Sequence, residues 1–289
     1  MTTTINLDEL KTHIGRKVTA SDVLHAGPAN LLRLAFGRPE PEYKAGDPLP
    51  PAWLALYFLP QYRPEELRPD GSPRDAGVVP PMPFPRRMFA GERVRFHRPL
   101  CIGEAVRRET ELADISVKHG GTGTLVFATV VNRVFGPDGL ALEDERRTVF
   151  REEVKAGEGN QAPRREPAPT EVPWRRQITP DPVLLFRFSA LTFNSHRIHY
   201  DLPYATEVEK YPGLIVHGPL QAMLLMDLAQ RRQPGRRPVR YRFRGVRPLF
   251  HFERPELLGK VGAEGGHELF VGNGAGATTM QADVHWADG

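Results

Sequence analysis

The sequence predicts an α+β fold made of two copies of one unit, each an antiparallel sheet wrapped around a single apolar helix. Three observations carry this. First, residues 156–173 (AGEGNQAPRREPAPTEVP) are dense in Gly, Pro, Ala and charge, with no apolar periodicity, and read as a linker between residues 1–155 and 174–289. Second, the two halves share three segments in the same order: VTASDVL at 18–24 with ITPDPVL at 178–184, RFHRPL at 95–100 with RFR at 242–244 and RPL at 247–249, and two long alternating stretches. Third, each half places one apolar run ahead of its alternating stretches.

The apolar run of the first half is AWLALYFL at 52–59, expected as its central helix and followed by a Pro- and Arg-rich loop over 60–87. The final strand of the first half is expected over 124–134 (TLVFATVVNRV), where β-branched residues alternate with period two. In the second half a helix starts at Gly218-Pro219, with Gly as N-cap and Pro as first helical residue, and ends before Arg231-Arg232 and Pro234-Gly235. Its apolar residues lie nearly all round, so protein must surround it, and the following strands achieve this by wrapping it. The final strand is expected over 277–286 (ATTMQADVHW). One helix wrapped by a sheet, twice, is the double hotdog arrangement.

Composition narrows the function. The 39 Lys+Arg against 35 Asp+Glu leave a net charge of +4 over 289 residues, too small for a nucleic-acid-binding face. The longest apolar stretch, 214–229, is interrupted by His217, Gln221 and Asp227 and falls short of a membrane span. The N-terminal MTTTINLDELKTHIG lacks the basic start and apolar core of a secretory signal, and Cys101 is the single cysteine, so a cytoplasmic location is expected.

The chemistry concentrates just before the second helix, in FRFSALTFNSHRIHYD at 186–201, where two His, an Asn and an Asp fall within eight residues. An imidazole there can serve as acid or base near neutrality, and an amide can hold a water or orient a substrate. Zinc is the competing reading of His196 and His199, but no Cys is near and Asp201 would have to turn toward both, so no metal is expected. The second motif, PGLIVHGPL at 212–220, ends at a helix N-terminus, whose free N–H groups favour a developing negative charge. His217 is expected to orient that turn.

Together these segments resemble the MaoC-like (R)-specific enoyl-CoA hydratases, and especially their double-hotdog relatives among type 2 hydroxyacyl-thioester dehydratases and itaconyl- or mesaconyl-C4-CoA hydratases. FSALTFNSHRIHYD is similar to the hydratase segment Gly-Asp-x-Asn-Pro-Leu-His-x-Asp, and LIVHGPL to its helix-entry turn. LPPAWLALYFLP and PRRMFAGERVRFHRPLCIGE look like the non-catalytic half of that subgroup. The resemblance implies reversible syn addition of water to a 2-enoyl-CoA. His199 is then the principal acid/base, Asn194 positions the water and the Gly218 N–H polarises the thioester carbonyl. It implies a catalytic second half and a first half that supplies the acyl pocket, with Trp53, Tyr57 and Phe58 as candidates beside their reading as core. Arg197, His196, His217, Asp201 and Arg244 are the expected substrate-binding residues, with Arg86, Arg87 and Arg242 as further arginines for CoA phosphates or an acyl carboxylate. The partner is an acyl-CoA, with itaconyl-CoA or mesaconyl-C4-CoA first, and neither cofactor nor metal is required. A monomer and a homodimer of double hotdogs both fit. One departure stands out: Asn194 occupies the position of the family's catalytic Asp, and an amide cannot take a proton. Asp201 or His196 taking over that transfer, a dehydratase of fatty-acid metabolism, and a non-catalytic acyl-CoA-binding protein therefore stay open.

Overall fold

The computed structural model describes residues 6–74, 77–82, 84, 86–120, 123–151, 166–262 and 265–287. In chain order the first half holds α1 (Leu7–Lys11), β1 (Lys17–Val23), α2 (Ala26–Ala35), β2 (Arg86–Phe96), β3 (Ala105–Gly120), β4 (Gly123–Gly136) and β5 (Gly139–Arg151). The second half holds β6 (Trp174–Gln177), α3 (Pro182–Thr192), α4 (Gly218–Arg232), β7 (Pro238–Gly245), β8 (Glu256–Val261), β9 (His267–Gly272) and β10 (Thr278–Trp286). Most of the expected linker, through residue 165, lies outside the described residues.

All ten strands form one antiparallel sheet in the order β1-β3-β4-β5-β2-β7-β10-β9-β8-β6. Read outward from its centre, each half repeats the same order, which makes β2 equivalent to β7, β5 to β10, β4 to β9, β3 to β8 and β1 to β6. Of the three sequence matches only that of β2 with β7 falls on equivalent strands: residues 178–184 follow β6 and enter α3, and residues 124–134, expected as the final strand of the first half, form β4 and are followed by β5, whereas 277–286 is β10. The halves join where β2 pairs with β7, Glu92 opposite Phe243 and Val94 opposite Tyr241.

The second half has the expected central helix. Every residue of α4 from Leu220 to Ala229 is buried, and the buried Tyr241 hydroxyl donates to the Ala222 carbonyl at 2.8 Å. Its start differs by one residue: His217 is the N-cap and Gly218 the first helical residue. Asp227, the one acid on this helix, is buried and held by Arg38 of the first half, Arg176 at 2.6 Å and Arg231 at 3.2 Å.

The first half lacks the expected helix over 52–59. Only one 3-10 turn forms, Trp53–Leu56, between Ala52 (φ 68°) and Phe58 (φ 52°). Prolines at 50, 51 and 60 bracket the run, and left-handed backbone at both ends prevents propagation. Its side chains are nevertheless core: Trp53, Leu56, Tyr57 and Phe58 are buried, and the Tyr57 hydroxyl donates to the His25 carbonyl. In place of a long central helix, α1 and loop residues including Val78, Val79 and Phe84 cover part of the inner face of β3–β5.

Candidate active site

Two short segments converge at the N-terminus of α4. α3 starts on an Asp181 cap and ends at Phe193, whose left-handed backbone (φ 49°) turns the chain sharply into residues 194–201. Residues 214–217 run beside that segment, with the Ile215 N–H bonded to the Ile198 carbonyl, and deliver His217 to the helix cap.

His199 lies at the centre and is 8% exposed. Its Nδ1 is 2.7 Å from the Ile215 carbonyl oxygen, which can only accept, so Nδ1 carries the proton and Nε2 keeps its lone pair. Burial, with His196 adding repulsion against the Ile215 bond, brings its pKa down to about 3. His199 is therefore neutral and in one tautomer, with the Nε2 lone pair unprotonated. Its ring stacks on His217 at 3.7 Å and meets His196 edge-on at 5.7 Å. His217 is 1% exposed, hydrogen-bonded through Nε2 to Ser189 Oγ at 2.9 Å and packed edge-on against Phe188. Burial also holds His217 well below the usual histidine pKa. His217, expected among the substrate-binding residues, is enclosed by Ser189 and Phe188 of α3 and backs the His199 ring.

Gly218, in the first turn of α4, has an N–H with no intrahelical acceptor at the positive end of the helix dipole. A Cβ at this position would rest in ordinary contact with the Phe89 ring at 3.5 Å, which places Phe89 of β2 beside the helix start. Asn194 is half-buried, and its Oδ1 accepts from the His196 N–H at 3.1 Å.

The remaining expected residues divide. Asp201 accepts from the Tyr204 N–H and pairs with Arg197 at 2.8 Å, and these two contacts, the backbone bond first, hold its carboxyl below the usual range. Arg197 also donates to the Pro69 carbonyl and lies over the Tyr204 ring at 3.9 Å. Both side chains brace the loop through these contacts. His196 is the better placed of the two alternatives, its Nε2 3.8 Å from Asp70, though burial lowers its pKa. Arg244 is not at the site. It projects from the opposite face of β7 to Tyr241 and Phe243, where Glu166 and Gln281 bind its guanidinium, because a strand alternates its side chains between faces.

A first-half loop that the sequence reading passed over closes the site. Asp70, Gly71 and Ser72 form a tight turn in which the Asp70 carboxylate accepts from both the N–H and the hydroxyl of Ser72. The Ser195 hydroxyl donates to the Gly71 carbonyl at 2.7 Å, and the Arg197 N–H donates to the Asp70 carbonyl at 2.8 Å. Asp-Gly was the available signal for a turn, but nothing local says which segment it meets. Among the described residues no group of three or more His, Cys, Asp or Glu is placed to hold a metal, and no helix is long and apolar enough to cross a membrane.

Comparison with known proteins agrees with this geometry. The profile of hydroxyacyl-thioester dehydratase type 2 matches residues 52–251. The chain is 43% identical over 276 residues to mesaconyl-C(4)-CoA hydratase of Chloroflexus aurantiacus, covering 94% of this chain and 95% of that protein. It is 26% identical over 230 residues to the mitochondrial hydroxyacyl-thioester dehydratase type 2 of Schizosaccharomyces pombe, covering 70% and 74%. The fold matches HtdX of Mycobacterium tuberculosis with a TM-score of 0.63 at 20% identity, over 94% of this chain and all of that one. A second M. tuberculosis protein, described as a double hotdog, matches with a TM-score of 0.53 at 14% identity over 94% and 96% of the two chains. Two sheet halves in mirrored order, a buried helix entry beside a neutral histidine and a matching profile across both halves lead to one conclusion: the chain belongs to the hydroxyacyl-thioester dehydratase type 2 family, and it is a hydro-lyase of the double-hotdog fold.

Proposed function

We propose that this protein adds water reversibly to a dicarboxylic 2-enoyl-CoA of the mesaconyl-C4-CoA kind, giving a 3-hydroxyacyl-CoA. The observation that carries the chemistry is His199, neutral and locked by Ile215 with Nε2 free, stacked on the residue that caps α4. Water held by Asn194 and His199 attacks the β-carbon, and its proton passes to Nε2. Electron density moves through the double bond onto the thioester oxygen, where the Gly218 N–H and the helix dipole meet the charge. His199 then returns the proton to the α-carbon, and the carbonyl reforms. One base serves both steps, so the addition is syn. The thioester activates the double bond and the protein's dipoles carry the charge, so the reaction requires no cofactor. The relative at 43% identity supports the choice of acyl group.

The test follows loss of the enoyl-thioester absorbance with mesaconyl-C4-CoA, itaconyl-CoA and crotonyl-CoA. Loss of signal without release of thiol, fastest with a dicarboxylic substrate, is expected for the native protein. His199→Ala should lower kcat by about 100-fold or more, the usual share of a positioned acid/base. Asn194→Ala should leave a smaller residual rate. A His199→Ala variant as active as the native protein would overturn the mechanism.

A further inference from the structure

The concave face of the first-half sheet is where a core would be expected, yet it carries charge. Following the register across β3, β4, β5 and β2, the residues on this face include Arg108, Thr110, Asn132, Asp144, Arg146 and Glu92. They are wired together: Thr110 donates to Asn132 at 2.7 Å, Asn132 to Asp144 at 2.9 Å, and Arg146 to Glu92 at 2.8 Å, while the Arg108 guanidinium lies over the buried Phe58 ring at 4.7 Å. The patch sits between two apolar clusters, one around α4 and one formed by Leu112, Ile115, Val126, Ala128 and Phe150. Placing ions inside a sheet is unfavourable unless a function requires them.

Arg87 adds a third cation at the edge of this patch. It is exposed and, among the described residues, has no carboxylate within ion-pair distance, unlike Arg146 with Glu92. Its place relative to the reaction follows from β2. Phe89 stacks on Phe243 at 5.6 Å and abuts Gly218, so it points inward, and Arg87 is two residues earlier on the same face before the irregularity at 89–91. That spacing is one pleat repeat, about 7 Å. In a mesaconyl-C4 thioester the free carboxylate is borne by the carbon that receives the hydroxyl, about 4 Å from the thioester carbon across three bonds. A thioester oxygen at Gly218 therefore brings the carboxylate within reach of Arg87.

We propose that Arg87, contributed by the non-catalytic half, binds the free carboxylate of the dicarboxylic acyl group and sets specificity for it; Arg108 and Arg146 keep its surroundings positive. This rests on the function proposed above and names the residue that selects the substrate class. Arg197, the arginine nearest His199 in sequence, is already bonded to Asp201 and the Pro69 carbonyl. The other charges support the assignment. Burial, then the repulsion of Glu92, raises the Asp144 pKa, which weakens the negative charge that faces the guanidinium groups.

The test uses saturated thioesters, which bind without reacting. Calorimetric titration compares succinyl-CoA with butyryl-CoA, which lacks the carboxylate, on the native protein, Arg87→Leu and Arg87→Lys. The native protein should prefer succinyl-CoA by about 10- to 100-fold, the worth of a charge-assisted hydrogen bond. Arg87→Leu should collapse that ratio to near one, and Arg87→Lys should keep part of it. A ratio surviving in Arg87→Leu, or absent from the native protein, overturns the proposal. An intact preference in a protein that hydrates nothing would overturn the proposed function alone, and hydration without the preference would overturn this inference alone.

Discussion

Gly71→Ala probes whether the catalytic segment is held by the first half of the chain. Gly71 has φ +81°, and a Cβ there would fall 2.8 Å from the Ser195 carbonyl carbon and closer still to its oxygen, where ordinary contact begins at 3.4 Å. Both neighbours are backbone, so the Asp70–Ser72 turn and residues 195–197 must separate by on the order of 1 Å to clear the oxygen. A displacement of about 1 Å in a group that positions a reaction costs about 100-fold in rate. The left-handed backbone adds about 1–2 kcal/mol for any residue with a Cβ. Gly46→Ala is the matched control: φ +90°, with nothing within 4 Å of the added carbon. Both variants should melt several degrees lower, at about 2–4 °C per kcal/mol for a chain approaching this size. Only Gly71→Ala should lose activity, by about 100-fold in kcat/KM. Hydration kinetics and thermal melts on the two variants decide it. Native-like kcat/KM in Gly71→Ala would refute the claim that this close approach sets the position of the His196–His199 segment.

Two further outcomes follow from buried charge. Because burial depresses the His199 pKa to about 3 in the folded protein, the unfolded chain, at about 6.5, takes up the proton first as pH falls. Stability should therefore decline from about pH 6.5 downward by about 1.4 kcal/mol per pH unit from this residue, with His217 acting in the same direction. Urea denaturation at pH 7 and pH 5, with His199→Gln flattening the difference, checks it, and a His199 ring titrating near 6.5 by NMR would contradict it. Asp227→Ala leaves Arg38, Arg176 and Arg231 facing one another around a buried gap and should destabilise by about 3–5 kcal/mol in urea denaturation. A loss below about 1 kcal/mol would mean that the cluster does not hold the halves together.

What the sequence determined by itself is the repeat, the all-round burial of α4 and the chemistry of the 194–201 and 212–220 segments. Each rests on local pattern: period-two alternation, apolar residues on every face of a helix, and polar groups placed at a turn before a helix start. The residues of 52–59 show the limit of such pattern. Their apolar content correctly marked core, but helix formation was decided by flanking prolines and by the left-handed backbone at Ala52 and Phe58. Only the tertiary structure decided which polar groups meet. His217 and Ser189 are 28 residues apart and hydrogen-bonded, while Gly71 reaches Ser195 across 124 residues. Arg244, expected among the substrate-binding residues, is turned to the far face of β7 by strand alternation. Arg87, in a stretch that reads as an ordinary basic loop, is brought to the reaction by the pairing of β2 with β5 and β7. Long-range register and burial set these outcomes, since the free energy of a contact depends on what surrounds it and not on distance along the chain.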